Sequence, residues 1–456
     1  MVHLFEHNGE HIVLDIASGA VHSMDAVGYA ICGRISPPLE EECPQELLSV
    51  LSDESCGFNP EEIREAYGEI YQLYKGGLLF SEEESYPQAY IKPENTPIKA
   101  LCLHVAHDCN LRCRYCFAHT GDFGAKRSLM KPEIAKRAVD FVIERSGSRR
   151  NIEIDFFGGE PLMAWNTVKE TVEYANEQGA KHNKQFRFTI TTNGILLNDE
   201  IIEYINEKMS NVVLSLDGRK EINDSMRPTV NGHGSYDIIM PRFRKLVGSR
   251  DPQKDYYIRG TYTSKNLDFL KDVLDIYSHG FDQISIEPVV APPGSGYELS
   301  ESDLPAIRKE YWDLAENILE LEERDEFLNF FHFNVDLEQG PCVIKRLRGC
   351  GAGCEYVAVT PEGDIYPCHQ FVGNPKFLMG SVADGSFDKS KAGMFAGVSV
   401  YTRESCRGCW ARYYCSGGCS AANFNSNGDI NKAYELGCEL ERMRLECAIY
   451  LAVKRS

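Results

Sequence analysis

Between residues 98 and 290 the chain alternates six times between short β-type runs and longer amphipathic ones. The β-type runs are IKALCLHV from Ile98, IEIDFFGGE from Ile152, FRFTITTNG from Phe186, VVLSLDG from Val212, YYIRGTYT from Tyr256 and QISIEPVV from Gln283. Helical periodicity fills the gaps, over Lys131–Ser146, Asn166–His182, Asp199–Met209, Tyr236–Val247 and Leu267–His279. Strands joined through helices pair in parallel with right-handed crossovers. Six such repeats predict an α/β domain, residues 96–325, whose sheet curls into a partial (β/α)6 barrel of the TIM type. In that architecture chemistry gathers at the C-terminal strand ends. The residues that fall there are Cys109 to Cys116, Gly158-Gly159-Glu160, Thr192-Asn193, Ser215, Asp217 and Glu287.

The chain carries seventeen cysteines. Cys32, Cys43, Cys56 and Cys102 are scattered and read as small buried hydrophobes. Cys109, Cys113 and Cys116 are clustered, and ten more lie from Cys342 to Cys447. Three thiolates at the first spacing can hold three irons of a cubane cluster and leave the fourth open. A structural zinc site would recruit a fourth protein ligand and close.

A net charge of −20 argues against nucleic acid or an anionic membrane as partner. The first residues, MVHLFEHNGEHIVLD, lack a basic segment followed by an apolar one, and no apolar run is long enough to span a bilayer. A cytoplasmic location is therefore expected.

Residues 1–95 form a separate small α+β unit. HIVLDIASGAVHSMDAVGYAICGRI predicts strand, turn at Ser18-Gly19, strand, and a helix capped by Ser23 or Asp25. A helix is expected from Pro60 to Tyr74, and the stretch YPQAYIKPENTP reads as a linker. A short sheet with a free edge can accept an added peptide strand. After the barrel come Pro292-Pro293-Gly294-Ser295-Gly296, an acidic helix over Asp303–Glu323, and a connector over 326–347. Residues 348–456 are dense in cysteine and glycine and are expected to fold around metal.

Cys109-x3-Cys113-x2-Cys116, with Tyr115 before the last cysteine, resembles the signature of the radical S-adenosylmethionine (SAM) superfamily. The resemblance implies a 4Fe–4S cluster whose open iron is chelated by SAM. Reductive cleavage of SAM then yields methionine and a 5′-deoxyadenosyl radical. By the same resemblance Gly158, Gly159 and Glu160 form the motif facing the SAM ammonium. Tyr115 and Val290 meet the adenine, Ser215 contacts SAM, and Arg227 reaches its carboxylate.

Cys350 and Cys368, Cys406-x2-Cys409-x5-Cys415-x3-Cys419, and Cys438 resemble the SPASM domain. That resemblance implies two auxiliary 4Fe–4S clusters, and so three clusters in all. Auxiliary cluster I takes Cys368 and Cys419 with Cys350, Cys354 or both. Auxiliary cluster II takes Cys406, Cys409, Cys415 and Cys438. Two closed clusters need eight thiolates and the motif supplies seven, so Cys354 completes the set or a substrate thiolate does. Cys342 and Cys447 are outside candidates.

HIVLDIASGAVHSMDAVGYAI resembles the PqqD-like recognition element, a winged-helix-type module that binds the leader of a precursor peptide. AHDCNLRCRYCFA and CGAGCEYVAVTPEGDIYPCHQFVG resemble the thioether-forming (sactipeptide-type) maturases of SCIFF peptides. The activity implied is oxidative bonding of a cysteine sulfur to the α-carbon of an acceptor residue in a ribosomally made, cysteine-rich precursor. The surplus electron passes to an auxiliary cluster, a flavodoxin- or ferredoxin-type donor supplies reducing electrons, and work under anaerobic conditions is required. No catalytic acid or base is assigned. The alternatives are sulfatase-type formylglycine formation, a carbon–carbon or side-chain crosslink, and a non-enzymatic iron–sulfur or zinc scaffold.

Overall fold

The computed structural model describes residues 1–53, 56–83, 96–337 and 343–456. Most of the expected linker, the end of the first unit at residue 95 and Cys342 lie outside the described residues.

The six β-type runs become β4 (Ala100–His107), β6 (Asn151–Gly158), β7 (Gln185–Thr192), β8 (Asn211–Ser215), β9 (Asp255–Tyr262) and β10 (Gln283–Pro288), all paired in parallel in that order. A two-residue strand, β5 (Ser128–Leu129), adds antiparallel to the end of β4. Helices follow at Pro132–Arg145, Trp165–His182, Asp199–Lys208, Tyr236–Gly248 and Phe269–Ser278, and the acidic helix at Leu304–Glu322. Alternation sorts the strands' side chains. Leu101, Leu103, Ile152, Ile154, Phe156, Phe188, Ile190, Val212, Leu214, Ile258, Ile284 and Ile286 face the helices and form one core. Their sequence neighbours Cys102, His104, Asp155, Phe157, Ser215, Arg259, Ser285 and Glu287 turn to the concave side.

The sheet extends past this domain at both ends. β11 (Asn329–Phe330) joins β10 in parallel, out of the stretch expected as connector. β12 (Tyr356–Val359), from the C-terminal unit, pairs in parallel with β4. Antiparallel strands β13 (Asp364–Tyr366), β14 (Gly380–Ser381) and β15 (Ser386–Phe387) follow outward. The barrel stays open. β4, flanked on both sides, is buried at all eight positions, which accounts for its near-continuous apolar run.

The first unit is a three-stranded antiparallel sheet, β1 (Val2–His7), β2 (Glu10–Asp15) and β3 (Val21–Met24), with helices at Ala26–Cys32, Gln45–Leu51 and Pro60–Lys75. Asp25 is the N-cap of the first helix, accepting from Gly28 N at 2.7 Å. Ile31, Leu51, Ile63, Tyr67 and Ile70 build this unit's own core. Phe5, Ile12, Leu14 and Ile16 pack instead against Leu347, Val400, Tyr413, Ile449 and Tyr450, which fixes the unit to the C-terminal helix Glu435–Lys454. Two stacked pairs mark the seam. The His3 ring lies 3.7 Å from Trp410 and bonds Glu446 at 3.1 Å. His7 lies 3.8 Å from Trp312 and bonds Glu316 at 2.8 Å.

Candidate active site at the strand ends

The loop after β4 is strapped on both sides. Toward β6, Gly159 N donates to Ala106 O at 2.7 Å and Glu160 N to Asp108 O at 2.9 Å. Toward the end of the helix Lys220–Met226, which follows β8, Arg112 N donates to Pro228 O at 2.7 Å and Arg114 N to Met226 O at 2.9 Å. The two glycines of the GGE run serve the first strap. A Cβ on Gly158 would stand 2.2 Å from Ala106 O, and one on Gly159 would stand 2.1 Å from Asp108 O. Only a bare backbone fits so close to the residues that launch Cys109.

Glu160 is 1% exposed, and both of its oxygens accept hydrogen bonds. It accepts from Leu162 N at 3.1 Å, Thr192 Oγ1 at 2.8 Å and Asn193 N at 2.8 Å, clasping the end of β6 to the end of β7. Burial raises its pKa to about 7 against those three donors. Asn193 completes the clasp. Its Nδ2 donates to Asn110 Oδ1 at 2.8 Å and reaches Cys109 Sγ at 3.6 Å, while Leu111 N approaches the same sulfur at 3.4 Å. The Thr192-Asn193 pair thus holds the cysteine loop, a role the strand-end position alone did not reveal.

On the other side Tyr115 OH donates to Asp217 at 2.7–2.8 Å and accepts from Arg227 Nη1 at 2.7 Å. Asp217 Oδ1 also accepts from Thr261 N at 3.1 Å. Arg227 is 8% exposed, and its Nε is buried with no partner. Such an orphaned donor is suited to an incoming carboxylate. Ser215 ends β8 level with Arg259 on β9, whose Nη2 bonds Glu287 Oε2 at 2.7 Å. Val290 lies beyond β10, 47% exposed on the rim.

The three thiols are crowded. Burial, then Glu160 and the sister thiols, pushes Cys109 up to about 12, and burial pushes Cys113 up to about 11. Two thiols so raised ionise together only beside a cation, which iron supplies. Among the described residues no three His, Cys, Asp or Glu side chains gather tightly enough for one metal ion, and no disulfide joins the described cysteines. Cys406, Cys409, Cys415 and Cys438 instead surround a cavity, with Glu435, Glu441, Arg412 and Arg442 in its wall. A ring of thiols around a hollow suits a multi-iron cluster better than a zinc ion, whose Zn–S bonds are about 2.3 Å.

Cys368 and Cys419 are each raised by burial and by the nearness of Cys350, and Cys368 also by Cys419. The Cys354 thiol has other company. It accepts from Arg348 Nη2 at 2.9 Å and donates to Gly351 O at 3.3 Å. Cys447 is 0% exposed within the main core. The C-terminal unit meets the first loop through rings. His369, next to Cys368, lies 5.5 Å from Phe117, next to Cys116, and 5.0 Å from Phe157 on β6.

Residues 103–251 match the Radical SAM superfamily. The chain is 24% identical over 428 residues to the radical SAM cyclopropyl synthase TigE of Paramaledivibacter caminithermalis, covering 87% of this chain and 85% of that one. It is 30% identical over 279 residues to an uncharacterized protein of Methanocaldococcus jannaschii, covering 59% and 85%. Among solved structures, anSMEcpe with bound AdoMet superposes with a TM-score of 0.66 at 21% identity, over 78% of this chain and 98% of that one. Streptococcus suis SuiB bound to precursor peptide SuiA superposes at 0.53 with 16% identity, over 95% and 97%. Among the described residues no helix is long and apolar enough to cross a membrane. The chain belongs to the radical SAM superfamily and is an enzyme of that family, which implies a 4Fe–4S cluster and SAM.

Proposed function

We propose that this enzyme is a peptide maturase that joins a cysteine sulfur to the α-carbon of an acceptor residue within a ribosomally made, cysteine-rich precursor. The observation that carries this is the ring contact at 5.5 Å between Phe117 and His369, because it sets Cys116 and Cys368 at the two ends of one aromatic bridge. A radical source on one side and a sulfur-binding metal on the other would suit thioether formation.

Cys109, Cys113 and Cys116 hold the cluster that binds SAM. With SAM bound and an electron delivered, that site supplies a 5′-deoxyadenosyl radical able to take an α-hydrogen. Tyr115, Gly158, Gly159, Glu160, Ser215, Arg227 and Val290 form the SAM pocket, with the spare Nε of Arg227 facing the carboxylate and Glu160 fixing the backbone beside it. Cys350, Cys368 and Cys419 would hold auxiliary cluster I, and a substrate sulfur would serve as its remaining ligand. Cys406, Cys409, Cys415 and Cys438 hold auxiliary cluster II.

Residues 1–95 receive the leader. Among the described residues β3 pairs with β2 on one side only, and an extended peptide can add to such an edge. A structural neighbour that aligns over nearly the whole chain is bound to its precursor peptide, which supports a peptide substrate. A flavodoxin or ferredoxin is the proposed donor, and the cytoplasm the proposed location.

The test is anaerobic incubation with SAM, reductant and a cysteine-rich precursor deuterated at the acceptor α-carbon. The expected products are deuterated 5′-deoxyadenosine and a peptide lighter by about two hydrogens per crosslink. Deoxyadenosine with unlabelled carbon, or a peptide aldehyde in place of a crosslink, overturns the thioether reading.

A further inference from the structure

Arg403 is 2% exposed and among the largest fully buried side chains. It precedes the short helix Glu404–Arg407, which carries Cys406. Its Nη1 donates to Gly417 O and, at 3.4 Å, to Gly418 O. Its Nη2 donates to Ser420 Oγ at 2.9 Å and Ile430 O at 3.0 Å, and its Nε to Ile430 O at 3.3 Å. Three of these acceptors, Gly417, Gly418 and Ser420, lie on the segment that leads from Cys415 past Cys419. The guanidinium therefore grips the span between one thiol set and the other.

Every one of those partners is neutral, so the hydrogen bonds are satisfied while the charge is not. Burying an arginine without an anion is strongly unfavourable. Nearby arginines avoid this. Arg412, 3% exposed at its side chain, pairs with Glu83 at 3.0 Å, and Arg442 pairs with Glu439. Around Arg403 the ionisable neighbours are thiols instead: Cys406, Cys415, Cys419 and Cys350. They come from both auxiliary sets.

We propose that Arg403 is the shared counter-charge of two thiolate-bound iron–sulfur centres, a positioning residue that holds the Cys415–Cys419 span and eases the addition of an electron to either centre. This rests on assigning the C-terminal cysteines to two clusters. A cluster with thiolate ligands is anionic and gains a further negative charge on reduction. A fixed cation in a poorly screened interior favours that reduced form. No new bond forms. The electron that the centre accepts is the one left over when carbon and sulfur join.

The full-length chain, reconstituted anaerobically with iron and sulfide, is compared with Arg403→Gln and Arg403→Lys by iron content and by redox-titrated electron paramagnetic resonance. Arg403→Gln is expected to shift the reduction equilibrium of at least one auxiliary centre about tenfold toward the oxidised form, about 59 mV for one electron. Arg403→Lys, which keeps the charge, is expected to stay within about threefold. Loss of auxiliary iron in the Gln variant with retention in the Lys variant supports the same assignment. An unshifted, iron-replete Gln variant overturns it. So does equal failure of both variants, since that marks a packing role. Wild-type chain that loads iron for fewer than three clusters, the SAM cluster included, refutes the assignment of two auxiliary clusters itself, before any variant is compared.

Discussion

Replacing Gly159 by alanine is expected to damage the SAM site from a residue that carries no functional side chain. The new Cβ would stand 2.1 Å from Asp108 O and 2.6 Å from Asp108 C, where real Cβ atoms essentially never come closer than 3.0 Å. The backbone must therefore open by about 0.9 Å between residue 159 and Asp108. Neither neighbour is the end of a flexible side chain. Asp108 O also accepts from Glu160 N at 2.9 Å, so the strain passes to the Glu160 clasp and to Cys109. Overpacking of this kind costs roughly 1–3 kcal/mol of stability. A displacement near 1 Å at a reacting centre costs about 100-fold in rate. The assay is SAM cleavage in the variant beside iron content and thermal unfolding. The control is Gly408→Ala, beside Cys409, where an added Cβ meets nothing within 4 Å. A Gly159→Ala enzyme with full iron and cleavage within about threefold of wild type would refute the claim that these glycines serve the close approach of β6 to the cysteine loop.

Asp155 sits on the concave side of β6, level with Cys102 and Thr189, and burial raises its pKa to about 7. The folded chain therefore holds this proton while the unfolded chain releases it near its ordinary value of 3.8. Stability should fall as pH rises between those values and level off above about 7. The apo chain should lose about 3 kcal/mol from pH 5 to pH 8 relative to Asp155→Asn, read from denaturant midpoints; parallel pH profiles would contradict this. Cys350→Ala should strip iron from auxiliary cluster I, whereas Cys354→Ala should keep it and cost about 1 kcal/mol for the lost bond from Arg348; iron analysis of the two variants decides. Deleting residues 1–95 should abolish precursor binding while SAM cleavage persists, and unchanged peptide affinity would contradict the leader-docking role.

The order of strands and helices in the barrel was legible because each has its own local period. All six parallel strands and their helices stand where alternation and helical spacing put them. β12 was not legible, because YVAV (Tyr356–Val359) is too short to announce a partner. That partner, β4, is far away in the chain. β1 escaped for a related reason: its apolar face is covered by Ile449 and Tyr450 at the far terminus, a tertiary choice. At the site the residue types were readable and their partners were not. Glu160 read as a ligand-facing acid, and its carboxylate also accepts from Leu162, Thr192 and Asn193. Asn193 read only as a strand-end residue, and its amide donates to Asn110 and reaches Cys109. Cys354 fits the spacing of a ligand as well as Cys350 does. Cys354 also accepts from Arg348, a partner that spacing does not encode. Arg403 carries no motif at all, and only its complete burial without a carboxylate draws notice.

The hydrogen bonding of β12 to β4 bears on how the enzyme is made. β4 is among the first barrel strands to leave the ribosome, and its second neighbour is synthesised some 250 residues later. Until then the strand that launches the cysteine trio has one unsatisfied backbone edge, a surface open to wrong pairing. A holding chaperone, or early collapse of the cysteine-dense end, would shield it. Excising the last unit to obtain a minimal SAM-cleaving domain would leave that edge bare for good. The C-terminal unit is thus no exchangeable cassette, and chimeras that swap it should break before Tyr356 only if they bring a strand able to replace β12.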